Sequence, residues 1–182
     1  MIRIDDELAH ESAAREMLLD RAFGPARLVK TCERLREGRV PAAGLSFIAR
    51  AGDMPVGTLR FWHVNAGGVD ALMLGPLAVD ERLRALGIGT TLMQVGLARA
   101  AELGHRAVIL VGDEPYYARF GFARKHAERL TLPGPVDHDR FLGRELLSGS
   151  MAAANGLVLA TGEFERSGAA KARGGGHRRR AA

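Results

Sequence analysis

The apolar residues of this chain change their period several times. Met1 to Ile4 alternate as a short strand would, and "ELAHESAAREMLLDRAFG" then carries apolar positions at helical spacing to a stop at Gly24 and Pro25. "ARLVKTCERLREG" predicts a second helix that closes at Gly38. "SFIARAGDMPVGTLRFWHVN" divides into two strand-like runs around the turn "GDMP", an antiparallel hairpin, and "VDALMLGPLAVD" predicts a further strand after Gly67 and Gly68. The next helix is "GTTLMQVGLARAAELG", with Leu92, Val95, Gly96 and Arg99 spaced along its faces and Gly104 as its stop. "AVILV" from Ala107 suits a strand covered on both faces, and Pro115 to Phe120 can make one or two helical turns before Gly121. "ERLTLP" and "GLVLAT" predict two more strands, on either side of a stretch around "FLGRELLSGS" that follows no clear period. The whole is a mixed sheet with helices on its faces, an α/β or α+β arrangement.

A length of 182 residues fits one domain, expected over residues 1–166, with a tail from 167 to 182. The content is 47% hydrophobic and 26% charged, ordinary for a globular protein. No apolar run approaches the ~20 residues that span a bilayer, and the N-terminus lacks the uninterrupted apolar core of a secretory signal, so a cytoplasmic protein without membrane contact is expected. Cys32 is the one cysteine and has no internal partner; it reads as a packing residue on a helix, and nearby His or Cys partners for a metal are missing.

The net charge of +5 suggests nucleic acid at first sight. Lys171, Arg173, Arg178, Arg179 and Arg180 in "KARGGGHRRRAA" equal that whole excess, however. A Gly/Arg tail without large apolar residues is expected to be disordered and to touch RNA or an acidic partner weakly at most.

The chemistry gathers on "RLRALGIGTTL". A phosphate loop of the GxxxxGK[ST] type is missing its lysine, which disfavours nucleotide hydrolysis. A dinucleotide fingerprint matches at Gly87 and Gly89 but has Leu92 at its third position, and about seven residues separate Val79 from Gly87. A third reading fits spacing and charge. The strand ends at Val79, an extended turn passes Arg82 and Arg84, and two glycines precede a helix whose N-terminus carries roughly half a positive charge. A diphosphate would then lie on the amides of Leu86 to Thr90, with the arginines supplying outer charge. A glycine turn that only packs a helix is the plainer alternative.

"RALGIG", Arg84 to Gly89, resembles the Q/R-x-x-G-x-G/A acyl-CoA loop of the GNAT (GCN5-related N-acetyltransferase) superfamily, and it follows a strand ending "LAVD". "YYARFGF", Tyr116 to Phe122, is similar to the family's Y-x-x-x-G-F segment. Together the two matches cover about Ser46 to Phe122, while "FLGREL" through "GLVLAT" more loosely resembles the subgroup typified by the bacterial YhbS proteins. The resemblance implies a GNAT fold: a mixed, mostly antiparallel central sheet with splayed fourth and fifth strands and flanking helices. It implies acetyl-CoA as cosubstrate, no metal, and cofactor binding by Leu77, Ala78, Val79, Arg84, Ala85, Leu86, Gly87, Ile88, Gly89 and Thr90. Gly75 and Pro76 interrupt "LMLGPLAV", which writes a ladder break into that strand and leaves Leu77 and Val79 to offer main-chain groups to the pantetheine arm.

Acetyl transfer to an amine requires a free amine, a polarised thioester carbonyl and a proton for the departing thiolate. Tyr117 matches the family's tyrosine near the sulfur and is the expected general acid, with Tyr116 as a wall residue and a backbone N–H near Val79 as the carbonyl donor. "ALMLGPLAV" holds no carboxylate, so Asp70, His63 and Asp113 stand as candidate bases, none singled out. The acceptor is expected to be a small-molecule or peptide amine, met by residues 20–40 and Trp62 to Gly68, where Trp62 and Phe61 alternate faces. Sheet edges and the C-terminal strand offer a route to a homodimer. An acetyl-CoA-binding sensor with little turnover is the alternative reading.

Overall fold

The computed structural model describes residues 1–165. The tail expected from 167 onward lies outside these residues. Eight strands join in the sheet order β1-β2-β3-β4-β5-β7: β1 Ile2–Asp6, β2 Ser46–Ala51, β3 Met54–Ala66, β4 Val69–Val79, β5 Ala107–Val111 and β7 Phe141–Glu145. β8, Gly156–Ala160, pairs the far end of β3, and the two-residue β6, Leu130–Thr131, pairs β8. Only β4–β5 and β6–β8 run parallel. This is the mixed, mostly antiparallel sheet that the sequence led us to expect.

The faces sort by alternation. Leu59 and Phe61 of β3 and Leu72 and Leu74 of β4 point to the face covered by α2, Ile88–Glu102, whose Ile88, Leu92, Met93, Leu97 and Ala100 repeat at helical spacing. Gly96 brings α2 close to the sheet, since a Cβ there would fall 2.8 Å from the Phe61 ring. Trp62, Met73 and Ile109 point to the opposite face, with Leu35, Phe141 and Val158. α1, Ser12–Phe23, covers part of that face through Leu18 and Leu19 against Ala78.

The expected ladder break is present. Leu59 pairs Leu77 and Phe61 pairs Leu74, so β4 carries one extra residue, a bulge at Gly75–Pro76. The bulge inverts the alternation: Leu72 and Leu74 join the α2 core before it, Leu77 and Val79 after it. The β4–β5 ladder holds only Leu72↔Val108 and Met73↔Ile109, so the β5-side edge of β4 is open from Leu74 to Val79, roughly 16 Å at 3.3 Å per residue.

Three expectations are corrected. Residues 26–38 do not form a helix; the segment makes two 3-10 turns, Pro25–Val29 and Thr31–Leu35, parted at the extended Lys30. Val29, Thr31 and Cys32 are weak helix formers, and the Thr31 hydroxyl donates instead to the Pro135 carbonyl at 2.5 Å. Cys32 accordingly packs against the Trp62 core from a 3-10 turn rather than from a helix. The first helix begins at Ser12, because Glu11 turns its carboxylate back to the Leu8 amide and closes a separate turn, Ala9–Glu11. "FLGRE" is a full strand; Gly143 breaks its apolar pattern because a Cβ there would meet His126 at 2.9 Å. Among the described residues no helix is long and apolar enough to cross a membrane.

Candidate active site

β4 ends at Val79, and Asp80 caps a 3-10 turn, Glu81–Leu83, by accepting from the Arg82 amide. The segment is therefore a tight turn rather than the extended one expected. Arg82 folds back on Asp80, with Nε to Oδ1 at 3.0 Å and a terminal nitrogen to Oδ2 at 2.7 Å. These Arg82 hydrogen bonds hold the Asp80 carboxyl down at about 2, so the charge of Arg82 is already matched. Arg84 is exposed as well and has no ion-pair partner among the described residues.

Two left-handed residues then curl the backbone: Ala85 at φ 69 and Gly87 at φ 76. Gly87 caps α2, and its carbonyl accepts from Thr91 at 2.9 Å. The first-turn amides of Ile88, Gly89 and Thr90 have no acceptor within the helix and point outward, the arrangement that suits an anion. Val79, Leu83, Arg84, Ala85, Gly87, Ile88, Gly89, Thr90, Tyr116 and Arg119 line a cleft of about 470 Å3 over these amides. Leu86 is exposed beside it. A second cleft of about 320 Å3 adjoins it between Leu18, Arg21 and Ala22 of α1 and the Val79–Arg84 turn.

Tyr116 was expected only as a wall, yet its hydroxyl sits over the glycine turn, 2.9 Å from where a Gly89 Cβ would be. The Arg119 guanidinium stacks on the Tyr116 ring at 4.4 Å, and its Nε donates to the Tyr116 carbonyl at 3.1 Å. Arg119 was missed in the sequence; no charge pattern marked it, and only the 3-10 turn Ala118–Phe120, which follows the short α3, Glu114–Tyr117, brings it to the cleft.

Tyr117 lies at the far end of β5. Its ring rests on Gly112 at the end of β5, edge-on to Tyr116 with centroids 4.9 Å apart. Burial, helped by Tyr116 and Asp113, pushes the phenol up to about 12, so it is protonated throughout the neutral range.

The candidate bases separate. Asp70 is exposed at the β3–β4 turn, the opposite end of β4 from the glycine turn. His63 pairs Leu72 below the splay and faces His105, with ring centroids 5.4 Å apart. Asp113 alone is beside Tyr117, its carbonyl accepting from the Tyr117 amide at 3.2 Å and its carboxylate paired with Arg140 at 3.1 Å. Among the described residues no three His, Cys, Asp or Glu side chains converge as metal ligands.

A wider groove of about 800 Å3 lies along β1, away from this turn. Its charges serve one another: the buried Arg50 donates through Nε to the buried Glu11 at 2.9 Å and through a terminal nitrogen to the exposed Asp5 at 2.6 Å.

Comparison with known proteins agrees with this geometry. The sequence model described as "Acetyltransferase (GNAT) family" matches residues 12–122. The Escherichia coli K12 protein named "Uncharacterized N-acetyltransferase YhbS" is 32% identical over 170 residues, covering 91% of this chain and 99% of its own. A crystal structure of E. coli YhbS in complex with CoA superposes with a TM-score of 0.73 at 29% identity, covering 88% of this chain and 89% of that one. A Brucella melitensis GNAT family acetyltransferase in complex with acetyl-CoA shares the fold at TM-score 0.59 and 24% identity, covering 80% and 88%. The chain thus belongs to the GNAT acetyltransferase family.

Proposed function

We propose that this protein transfers the acetyl group of acetyl-CoA directly to a primary amine. The observation that carries the reading is the combination of three features around the splay: the open amides of Ile88 to Thr90, the unpaired β4 edge from Leu74 to Val79, and Tyr117 on Gly112 at the end of β5, where β5 has parted from that edge. Acetyl-CoA fits these residues. Gly87 has open space at its Cβ position, Gly89 leaves room beneath the Tyr116 hydroxyl, and Arg84 and Arg119 place positive charge at the rim of the cleft. The acetyl-CoA and CoA held by the Brucella and E. coli relatives favour the same assignment.

In this reading Arg84 to Thr90 hold the diphosphate, the main chain of Leu77, Ala78 and Val79 lines the pantetheine arm, and a backbone N–H on the open edge polarises the carbonyl. The Tyr117 phenol donates its proton to the departing sulfur; a phenol kept neutral by burial has that proton at neutral pH. Asp113, next to Tyr117, takes a proton from the amine through water, because its own carboxylate is engaged by Arg140. Calorimetric titration with acetyl-CoA, with NAD as comparison, tests the reading. Saturable binding of acetyl-CoA alone, followed by amine-dependent release of free thiol, supports it; absence of acetyl-CoA binding removes it.

A further inference from the structure

The acceptor side of the splay is formed by residues apart from the glycine turn and Tyr117. Met73 pairs Ile109 in parallel register, so Gly75 stands level with Val111, one residue before the Gly112 under Tyr117. Tyr117 packs with the core on the α2 face. Gly75 is turned to the other face: Trp62 Nε1 donates to its carbonyl at 2.6 Å, and a Cβ on it would lie 3.7 Å from a terminal nitrogen of Arg36. With the acid on one face, direct transfer brings the amine in from the other, where Arg36 stands.

Arg36 is held in place. Thr31 and Arg34 tie its segment to the Pro135 and Pro133 carbonyls, each at 2.5 Å, and Leu35 is buried. The Arg36 side chain is only 11% exposed, and its Nε donates to Glu33 Oε2 at 2.7 Å. Its two terminal nitrogens donate to no group among the described residues. A guanidinium withdrawn from water with one side of its planar fork still open matches a carboxylate, and it repels a polycation. The next cation on this face, Arg60, is engaged by Glu7 at 2.7 and 2.8 Å.

We propose that Arg36, oriented by Glu33, binds a carboxylate on the acceptor, so that the substrates are small primary amines carrying a carboxylate close to the amine, as amino acids do. This rests on the transferase reading above.

The test measures thiol release from acetyl-CoA with the standard amino acids, their carboxamides and O-phosphoethanolamine, alongside calorimetric binding of acetyl-CoA. The expected result is turnover of at least one amino acid with kcat/KM about tenfold or more above its carboxamide and above O-phosphoethanolamine, the scale of a charged hydrogen bond. Arg36→Gln should remove that preference by raising KM for the acid, and Arg36→Lys should restore part of it, with acetyl-CoA affinity unchanged. Equal loss for acid and carboxamide in Arg36→Gln overturns the assignment, as does turnover confined to amines without a carboxylate, or none of any amino acid. In each of those cases acetyl-CoA still binds; if it does not bind, the transferase reading falls and this one with it.

Discussion

Tyr117 lies flat against the missing side chain of Gly112: a Cβ at position 112 would fall 2.1 Å from its Cε2 atom. No real side chain tolerates that separation, so the glycine fixes where the phenol stands at the end of β5.

Gly112→Ala is therefore expected to push Tyr117 off its seat. Turnover should drop by at least about tenfold, at a stability cost of about 1–3 kcal/mol for overpacking. Steady-state kinetics with thermal melting checks this, and unchanged turnover would detach Tyr117 from the chemistry.

Tyr117→Phe keeps the ring on Gly112 and removes only the proton. Turnover should fall by about 10²–10⁴-fold, the range for loss of a general acid, with acetyl-CoA affinity preserved. Stopped-flow or steady-state assays beside calorimetry separate the two effects.

The same phenol makes stability depend on alkaline pH. Its folded value of about 12 stands above the ordinary 10.0, so the folded state retains a proton that the unfolded chain has lost. The stability is complete below pH 10 and declines between 10 and 12, by about 2–3 kcal/mol in total. Urea titrations across that window should show a steeper decline for the parent protein than for Tyr117→Phe.

Gly89→Val places a branched side chain under the Tyr116 hydroxyl and over the first-turn amides of α2. Binding of acetyl-CoA should weaken by about 1–3 kcal/mol through loss of hydrogen bonds to a charged group, with little change in melting temperature. Undiminished affinity by calorimetry would show that the glycine turn serves helix packing alone.

Glu11 and Arg50 form a buried pair beneath β1 and β2, with the Glu11 carboxylate also accepting from the Leu8 amide at 2.7 Å. Burial by itself raises the Glu11 carboxyl, but the Arg50 hydrogen bond, the Leu8 amide and the Arg50 charge together carry it below 4.5. Its contribution is thus complete above pH 4.5 and is lost as pH falls through the lower folded value. Glu11→Ala leaves Arg50 with the exposed Asp5 as its remaining partner and should cost about 1.5–3 kcal/mol, and Glu11→Gln should flatten the loss of stability between pH 7 and pH 3. Denaturant curves at both pH values decide it.

Local pattern carried the elements whose partners are near in sequence. The α2 stripe, the "GDMP" hairpin and the apolar β5 are each legible because one periodicity dominates a whole window. It failed where distant groups compete for the backbone: Thr31 and Arg34 spend their donors on residues 133–135, so the expected helix over 26–38 gives way to two turns, and Gly143 makes "FLGRE" illegible because His126 needs the space.

The sequence by itself determined the family, the glycine turn and the break in β4, because glycine, proline and helix-start chemistry act within a few residues of themselves. Only the tertiary structure decided which charges are free to act. Arg82 is neutralised by Asp80, Arg119 is carried into the cleft by the 3-10 turn after α3, and Arg36 faces the β4 bulge across the sheet from Tyr117. Charge pairing depends on separations of a few ångströms between residues far apart along the chain, and no periodicity in the sequence encodes that distance.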